Sequence, residues 1–459
     1  MADTITRRGF FSEVRHVTLK PQSKGAVRIF LIPPRRRLFS RAPSVVILNG
    51  TTILPLGYAW AVLLALFIDE LTAFEDTTPE SIAEAEFDML IAATAGKCRR
   101  RYLTVKQTVL EEDLRQILSV ITDVAAGREP SLPIGQMSLR QYAPHMTAPH
   151  RMDLMVSAMT RDGSWNCNQK CLHCYAAGQP AAEVTELSTE QWKNIIDLYR
   201  KLGIPQLTFT GGEPTMRADL VELIDHGRWF VTRLNTNGVL LTPELCRDLR
   251  AASLDSVQIT LYSADETVHN RLVGAQNFDK TVAGLSNALA AGLDVSVNTP
   301  LCSVNADYLS TLAFLQEQGV RYVSCSGLIL TGNAAAGPSA DTRLTGEATA
   351  EILKRAAAYC AEHGMDLNFT SPGWVPPERL RAMKLAVPAC GACLSNMATA
   401  PDGTVVPCQS WLSDGAGLGN ALRDPWTDIW NHPAAKKIRG MNEEQACACP
   451  LKEVAVCAE

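Results

Sequence analysis

Hydrophobic and polar positions divide the 459-residue chain into stretches of different rhythm. Residues 26–54 hold short β-prone runs, Val27-Arg28-Ile29-Phe30-Leu31 and Ser44-Val45-Val46-Ile47-Leu48, separated by Pro and Arg. Asn49-Gly50 marks a turn. Three helices are expected next: a buried one over 57–70, an amphipathic one over 81–95 and a third over 109–126. Residues 1–25 are polar and read as loose chain or an edge element. Strands followed by helices predict a small independent α+β unit over 1–130. The Pro- and Gly-bearing stretch that follows reads as a linker, set at 131–150.

From 153 the rhythm becomes strand, helix, strand. Strands are expected over 153–159, 206–210, 230–235, 256–261, 293–298 and 321–330. The clearest helix covers 188–202: Ser188 and Gln191 form a capping box, and Trp192, Ile195, Ile196, Tyr199 and Leu202 make one apolar face. Gly203 ends it. Six βα units predict an α/β fold, a parallel sheet curved into a partial (β/α)6 TIM-like barrel over 151–335. Ligands sit at the C-terminal strand ends of such folds. The polar and Gly-rich features fall on that rim. A three-cysteine loop follows the first strand, Gly211-Gly212-Glu213-Pro214 the second and Asn235-Thr236-Asn237-Gly238 the third. Thr260 closes the fourth strand, Asn298 the fifth, and Gly332-Asn333-Ala334 follows the sixth. Residues 336–385 form a bridging region, with a helix over 347–363 and an irregular segment from Ser371 to Pro377.

A hydrophobic content of 46% and a charge content of 20% are those of an ordinary globular protein. The net charge of −5 gives no sign of general nucleic-acid binding. The longest apolar run, 59–68, falls short of the ~20 residues that span a bilayer, so no membrane is expected as a partner. The first 25 residues lack the apolar core of a signal peptide. The fourteen cysteines are concentrated in two bunches, 167–174 and 390–457, which points to metal sites in a reducing compartment and a cytoplasmic location.

Residues 165–175 read Trp-Asn-Cys-Asn-Gln-Lys-Cys-Leu-His-Cys-Tyr, with Cys167, Cys171 and Cys174 within eight residues. A cube of four irons and four sulfides takes one outside ligand per iron, and Cys thiolate is the usual one. Three thiolates leave one iron without a protein ligand, an open position like that of a catalytic metal. Spacing alone shows an incomplete ligand set; three buried structural cysteines, or part of a zinc site, are the plainer readings. Gly211 and Gly212 let backbone approach a ligand closely, Glu213 adds an acceptor, and Pro214 fixes the exit of the turn. An ordinary βα turn has the same make-up. Thr236 and Asn237 offer hydroxyl and amide groups suited to ribose or carboxylate contacts, against the alternative of a simple Asn-Gly turn.

Cys167, Cys171 and Cys174, with the aromatic Tyr175 directly after, resemble the signature of radical S-adenosylmethionine (SAM) enzymes. In that family the open iron of a [4Fe-4S] cluster binds the amino and carboxylate groups of SAM. One electron then cleaves SAM to methionine and a 5′-deoxyadenosyl radical, which abstracts hydrogen from the substrate. The resemblance implies that Gly211, Gly212, Glu213 and Pro214 serve the SAM amino group, and that Thr260, in Gln258-Ile259-Thr260-Leu261-Tyr262, touches SAM. Thr236, Asn237 and Asn298 are placed with them as cofactor contacts. Arg271 is assigned to the SAM carboxylate; many members also carry an Arg where this chain has Val273. His173 reads as structural.

Cys390, Cys393, Cys408, Cys447, Cys449 and Cys457 crowd the C-terminal region, 386–459. Between Cys393 and Cys408, residues 401–407 read as a hairpin with a Gly turn, a metal clip whose soft thiolates suit iron–sulfur or zinc. The spacing of Cys393, Gly403 and Cys408 resembles the SPASM extension, an auxiliary-cluster domain of radical SAM peptide maturases. The tail departs from it: Cys447, Cys449 and Cys457 stand where the family shows four close cysteines and a final one. Two clusters of four thiolates need eight cysteines and six are present, so one full auxiliary cluster is expected, alone or with a second that lacks a Cys ligand. Cys390, Cys393 and Cys408 are assigned to the first. Cys98, Cys246, Cys302, Cys325 and Cys360 read as buried small hydrophobes, with a catalytic thiol among them as the alternative.

The resemblance implies a peptide-modifying oxidoreductase. Its substrate would be a ribosomally made peptide with a leader, cross-linked or oxidised after hydrogen abstraction, with electrons from a donor such as flavodoxin or ferredoxin. The N-terminal unit looks like the winged-helix peptide-recognition domain of such enzymes; an accessory cap is the alternative. Two other functions stay open: a radical SAM maturase of a folded protein, such as a sulfatase or a dehydrogenase subunit, and a non-catalytic iron–sulfur electron-transfer or binding protein.

Overall fold

A computed structural model of the protein describes residues 13–19, 27–33, 43–75, 83–130, 132, 134–335 and 337–452. The chain forms two compact units, Met1–His150 with Tyr199–Pro205, and Arg151–Leu198 with Gln206–Glu459.

In the first unit, β1 (Arg15–Leu19), β2 (Val27–Ile32), β3 (Ser44–Leu48) and β4 (Thr52–Leu56) form an antiparallel sheet in sequence order. Asn49 and Gly50 both take positive φ, 48° and 72°, and turn β3 into β4 as their side chains allow. Three helices follow: α1 (Tyr58–Glu75), α2 (Glu84–Arg99) and α3 (Gln107–Ala125). Ile29, Leu31, Val46 and Leu48 alternate along β2 and β3 and share a core with Leu64, Phe67, Leu114 and Ile117. The expected edge element is β1. The expected linker is more ordered than its composition suggests: Met137 bridges to Ile53 of β4, and Ser138 caps a short helix α4 (Leu139–Tyr142). Pro and Gly mark breaks, and carry no information about pairing with a distant strand edge.

The second unit is built on a nine-stranded sheet. Six parallel strands run β5 (Arg151–Ser157), then, after a small hairpin of β6 (Thr160–Arg161) and β7 (Ser164–Trp165), β8 (Gln206–Gly211), β9 (Val231–Thr236), β10 (Ser256–Thr260), β11 (Asp294–Pro300) and β12 (Tyr322–Ser326). These are the six expected, each within a few residues. The sixth stops at Ser326 instead of 330; the next residue, Gly327, lies against the Trp374 ring, where a Cβ would stand 2.1 Å away. Two further parallel strands extend the sheet beyond the six expected units. β13 (Asp366–Phe369) joins β12, and β14 (Asn396–Thr399) joins β5 at the other edge. β14 turns back antiparallel into β15 (Val405–Val406), the hairpin read around Gly403, whose φ is +87°.

Helices connect the strands: α5 (Thr189–Leu202), α6 (Leu220–His226), α7 (Pro243–Ala251), α8 (Glu266–Val273), α9 (Phe278–Ala290), α10 (Tyr308–Glu317) and α11 (Gly346–Glu362). The capping box before α5 is formed: Gln191 N donates to Ser188 Oγ at 3.3 Å, and Ser188 N to Gln191 Oε1 at 2.9 Å. Trp192, Ile195, Ile196 and Tyr199 are fully buried. Cys98, Cys246, Cys302, Cys325 and Cys360 are buried, as expected of small hydrophobes. Among the described residues no helix is long and apolar enough to cross a membrane.

Gly284 tests the packing behind the rim. It lies inside α9, where an added Cβ would stand 2.0 Å from the Gly238 carbonyl oxygen. Alanine gains about 1 kcal/mol over glycine in helix propensity, while overpacking against backbone costs about 1–3 kcal/mol. Gly284→Ala is therefore expected to lower the urea midpoint, whereas Ser286→Ala, exposed on the same helix, changes stability by less than about 0.5 kcal/mol. A Gly284→Ala midpoint at or above the parent's would show that the helix yields freely.

Candidate iron–sulfur and cofactor site

The three-cysteine loop is held in place by its own backbone. Lys170 N donates to Val273 O at 2.9 Å and Leu172 N to Leu272 O at 2.8 Å, which pins the loop to the end of α8. Gly274 caps α8 at φ +64°, and a Cβ there would stand 2.4 Å from Lys170 O. On the far side, Asn333 N donates to Cys174 O at 2.9 Å and Ser339 Oγ to Leu172 O at 2.8 Å. Gly332 passes so close that a Cβ would meet the carbonyl oxygens of Cys174 and Tyr175 at 2.6 Å. His173 turns inward to a 2.7 Å hydrogen bond with Thr342 Oγ1.

Gly211 and Gly212 permit a close approach, and the partner is the chain's own backbone. A Cβ on Gly211, at φ +136°, would lie 2.3 Å from Ser157 O, and one on Gly212 2.9 Å from Ala158 O. Glu213 is 1% exposed. Its Oε1 accepts from Thr215 N at 3.0 Å, Thr215 Oγ1 at 2.5 Å and Thr236 Oγ1 at 2.6 Å, and its Oε2 accepts from Asn237 N at 2.8 Å. Thr236 Oγ1 also accepts from Gly238 N at 3.1 Å. Asn237 Nδ2 donates to Asn168 Oδ1 at 2.6 Å, reaching into the cysteine loop. These side chains brace the rim against itself.

A cavity of about 910 Å³ opens inside this unit. Cys167, Cys171 and Cys174 line it, and so do Cys390, Cys408 and Cys449. Gly211, Gly212, Glu213, Thr236, Asn237, Thr260 and Asn298 also border it. Pro214 is buried outside the lining, and Arg271 is exposed on α8, away from the cavity. Cys393 is buried beside Cys390 at φ +57° without reaching the cavity, nor does Cys447 line it. Cys457 lies outside the described residues.

The strands also bring in residues that sequence reasoning missed. Thr208, Arg233, Asn235, Gln258, Ser296 and Ser324 face the bore. The signal was available: β9, β10 and β11 alternate polar and buried apolar positions, while a parallel sheet covered by helices usually reads apolar throughout. With helices outside, the polar positions must face inward. Buried polar atoms of Thr208, Arg233, Asn235, His173 and Gln409 find no partner in the chain, and all five residues line the cavity. Such atoms are rare in folded proteins unless a ligand or water meets them.

The donor set fits an iron–sulfur cube with one iron open. Cys171 feels the charge of both Cys174 and Cys167, Cys167 feels that of Cys174, and all three border one cavity. Burial is the largest cause that raises all three thiol pKa values, Cys167 to about 12, so their ionisation needs a cationic partner at the site. Among the described residues no three His, Cys, Asp or Glu side chains converge on a single metal ion, whereas a cube spreads one thiolate to each iron. At the C-terminal hairpin Cys408 feels Cys449 and Cys390, a second sulfur group on the same cavity.

A cysteine-bearing loop at the C-terminal rim of a partial barrel, with a cysteine-rich hairpin at its edge, defines an iron–sulfur enzyme architecture. Residues 166–315 match the Radical SAM superfamily, and residues 390–450 match SPASM, an iron-sulfur cluster-binding domain. Mycofactocin maturase MftC of Mycolicibacterium smegmatis is 30% identical over 300 residues, covering 63% of this chain and 74% of the relative. Fe-coproporphyrin III synthase of Methanosarcina barkeri is 28% identical over 306 residues, covering 61% of this chain and 76% of the relative. The crystal structure of Streptococcus suis SuiB, 15% identical, has the same fold, with a TM-score of 0.57 over 96% of this chain and 95% of that one. The chain belongs to the radical SAM superfamily and carries a SPASM domain. With that membership come a [4Fe-4S] cluster and SAM, and auxiliary iron–sulfur clusters in the SPASM domain.

The Glu213 brace is open to test. Thr236→Val keeps the shape while removing one donor to a buried carboxylate and the acceptor for Gly238 N. Leaving buried polar groups unmet costs about 1–3 kcal/mol. Urea unfolding of the full chain should show that loss for Thr236→Val and little for Thr236→Ser; equal stability of the two variants would remove the brace.

Proposed function

We propose that this radical SAM enzyme is a peptide maturase, acting on a ribosomally made peptide to install a cross-link or an oxidation. The observation that carries the reading is that both cysteine groups border one cavity, which lets one bound peptide residue lie between a radical source and an electron acceptor. The likeness to PqqA peptide cyclase of Streptomyces rochei, 30% identical over 271 residues that cover 56% of this chain and 72% of that relative, supports the peptide as substrate. When bound, SAM and the cluster supply a 5′-deoxyadenosyl radical that abstracts hydrogen from an unactivated carbon. The chain's part is to position and to shield. Cys167, Cys171 and Cys174 hold the cluster, and Gly211, Gly212, Glu213, Pro214, Thr236, Asn237, Thr260 and Asn298 form the cofactor's side of the rim. Of these, Glu213, Thr236 and Asn237 act by fixing the rim's shape. Arg271, exposed on α8, is the weakest member of that set, since a carboxylate partner must face the cavity.

Auxiliary ligands come from Cys390, Cys393, Cys408, Cys447, Cys449 and Cys457, with Cys390, Cys408 and Cys449 on the cavity side. Residues 1–130 take the peptide's leader, 386–459 hold the auxiliary cluster, and a flavodoxin or ferredoxin supplies electrons in the cytoplasm. The likeness to Fe-coproporphyrin III synthase favours a second reading, a tetrapyrrole substrate.

Anaerobic reconstitution, iron counting and turnover with candidate precursor peptides test the proposal. Replacing Cys167, Cys171 and Cys174 with Ala should lower bound iron by the content of one cluster and abolish release of 5′-deoxyadenosine. Retained SAM cleavage in that variant would refute the assignment. Turnover of a porphyrin with no mass change in any peptide would favour the second reading.

A further inference from the structure

Below the cysteine rim the bore holds a cation without a carboxylate partner among the described residues. Arg233 lies in the middle of β9 and lines the cavity. Its Nη2 donates to Gln258 Oε1 and to Ser296 Oγ, both at 3.0 Å, while its Nε is buried with no acceptor. Asp153, a carboxylate that acts on it through space, is already held by Arg151 at 2.7 and 3.3 Å. Arg151 lines the cavity too and repels Arg233. Two guanidinium groups against one carboxylate leave a net positive charge in the bore. The other acids at the cavity do not cancel it: Glu213 is committed to the rim, and Asp294 and Asp366 stand exposed at the start of their strands, Asp366 paired with Arg321. A desolvated, half-satisfied cation is costly, and an anion that completes its hydrogen bonds removes the cost.

Two neighbours narrow the ligand. Thr208, opposite Arg233 in the β8–β9 register, has an unpartnered hydroxyl that can donate to an anion. Asn235, next up the strand on the same face, has an unpartnered Oδ1 that can only accept. The site therefore asks for an anionic group with an N–H donor about two strand residues away, which is about 7 Å. An amino-acid residue within a peptide carries both.

We propose that Arg233, with Thr208 and Ser296, is a carboxylate-binding subsite for the peptide substrate, holding an acidic side chain or a C-terminal carboxylate in the bore while Asn235 accepts a backbone N–H. The assignment rests on the peptide reading and names the chemistry of the residue presented to the cofactor.

The test is binding, read without turnover. Reconstituted full-length enzyme with SAM is titrated anaerobically by ligand-observed NMR with acetyl-Ala-Glu-Ala-amide, acetyl-Ala-Gln-Ala-amide and acetyl-Ala-Gln-Ala with a free C-terminus. At least one carboxylate probe should bind about tenfold or more tighter than the neutral one, since a charged hydrogen bond contributes about 1.5–3 kcal/mol. Which probe binds distinguishes the side-chain from the C-terminal source. Arg233→Met should erase the acid-over-amide ratio and Arg233→Lys should keep part of it; a ratio within one variant does not depend on how much of it is folded. Equal binding of acid and amide, an unchanged ratio in Arg233→Met, or a parallel loss of SAM affinity would overturn the proposal, the last by making Arg233 a cofactor contact. Arg233-dependent binding of coproporphyrin III with no peptide binding would overturn the peptide occupant. Failure to form 5′-deoxyadenosine would sink the enzymatic reading while leaving these ratios standing.

Discussion

A buried carboxylate sets the geometry of the rim. Glu213 gathers donors from two turns, its own and the one after β9, and so fixes two strand ends relative to one another. Burial pushes its pKa up and the hydrogen bonds pull it back down, which is the balance expected of a charge kept inside a protein by the groups around it. The same knot reaches the cysteine loop twice: Asn237 holds Asn168, and the Cys167 thiol points at Gly212 O at 3.6 Å. Moving any one of the three segments would strand a buried polar group in the others.

From the opposite side the loop is clamped through its own backbone groups. α8 offers its last carbonyls to Lys170 and Leu172, and residues 331–339 donate to the carbonyls of Leu172, Cys174 and Tyr175. Gly274 and Gly332 are required there by contact as well as by their positive φ, since any side chain would also run into the loop's own carbonyl oxygens. The cysteine loop is thus positioned by residues far apart in sequence. This is the supporting frame that a precise metal site needs.

How much of this was legible in the sequence depended on distance along the chain. The cysteine triplet, the Gly-Gly-Glu-Pro turn and the capping box before α5 are local patterns, and each stands where its residues said. The six strands followed from periodicity. β13 was not legible because Asp-Leu-Asn-Phe alternates for only four residues and carries no β-branched side chain, and β14 was absorbed into the cysteine hairpin beside it. Arg271 was assigned from a sequence neighbourhood that turned out to be the outer face of a helix, whereas Arg233 was overlooked because a single charge in a strand reads as a solvated face. Ligation of the auxiliary site is the hardest to read. Cys390 and Cys449 share a wall although 58 residues separate them, and Cys393, with the better motif spacing, is turned away.

A barrel with a polar bore must find its stability elsewhere. Phe209, Leu234, Val257, Ile259 and Val297 face the helices and are fully buried. The outer layer therefore supplies the apolar burial that closed barrels draw partly from their interior. That arrangement frees the inside to be hollow and to carry donors and acceptors without partners of their own. Buried groups of that kind call for polar partners, and a substrate entering the bore supplies well-aligned ones. Radical chemistry needs the same entry, because a highly reactive carbon radical must meet the intended C–H bond with no competing donor in reach. The unmet hydrogen bonds of the bore and the shielding the reaction requires are then satisfied by one event, the entry of the substrate.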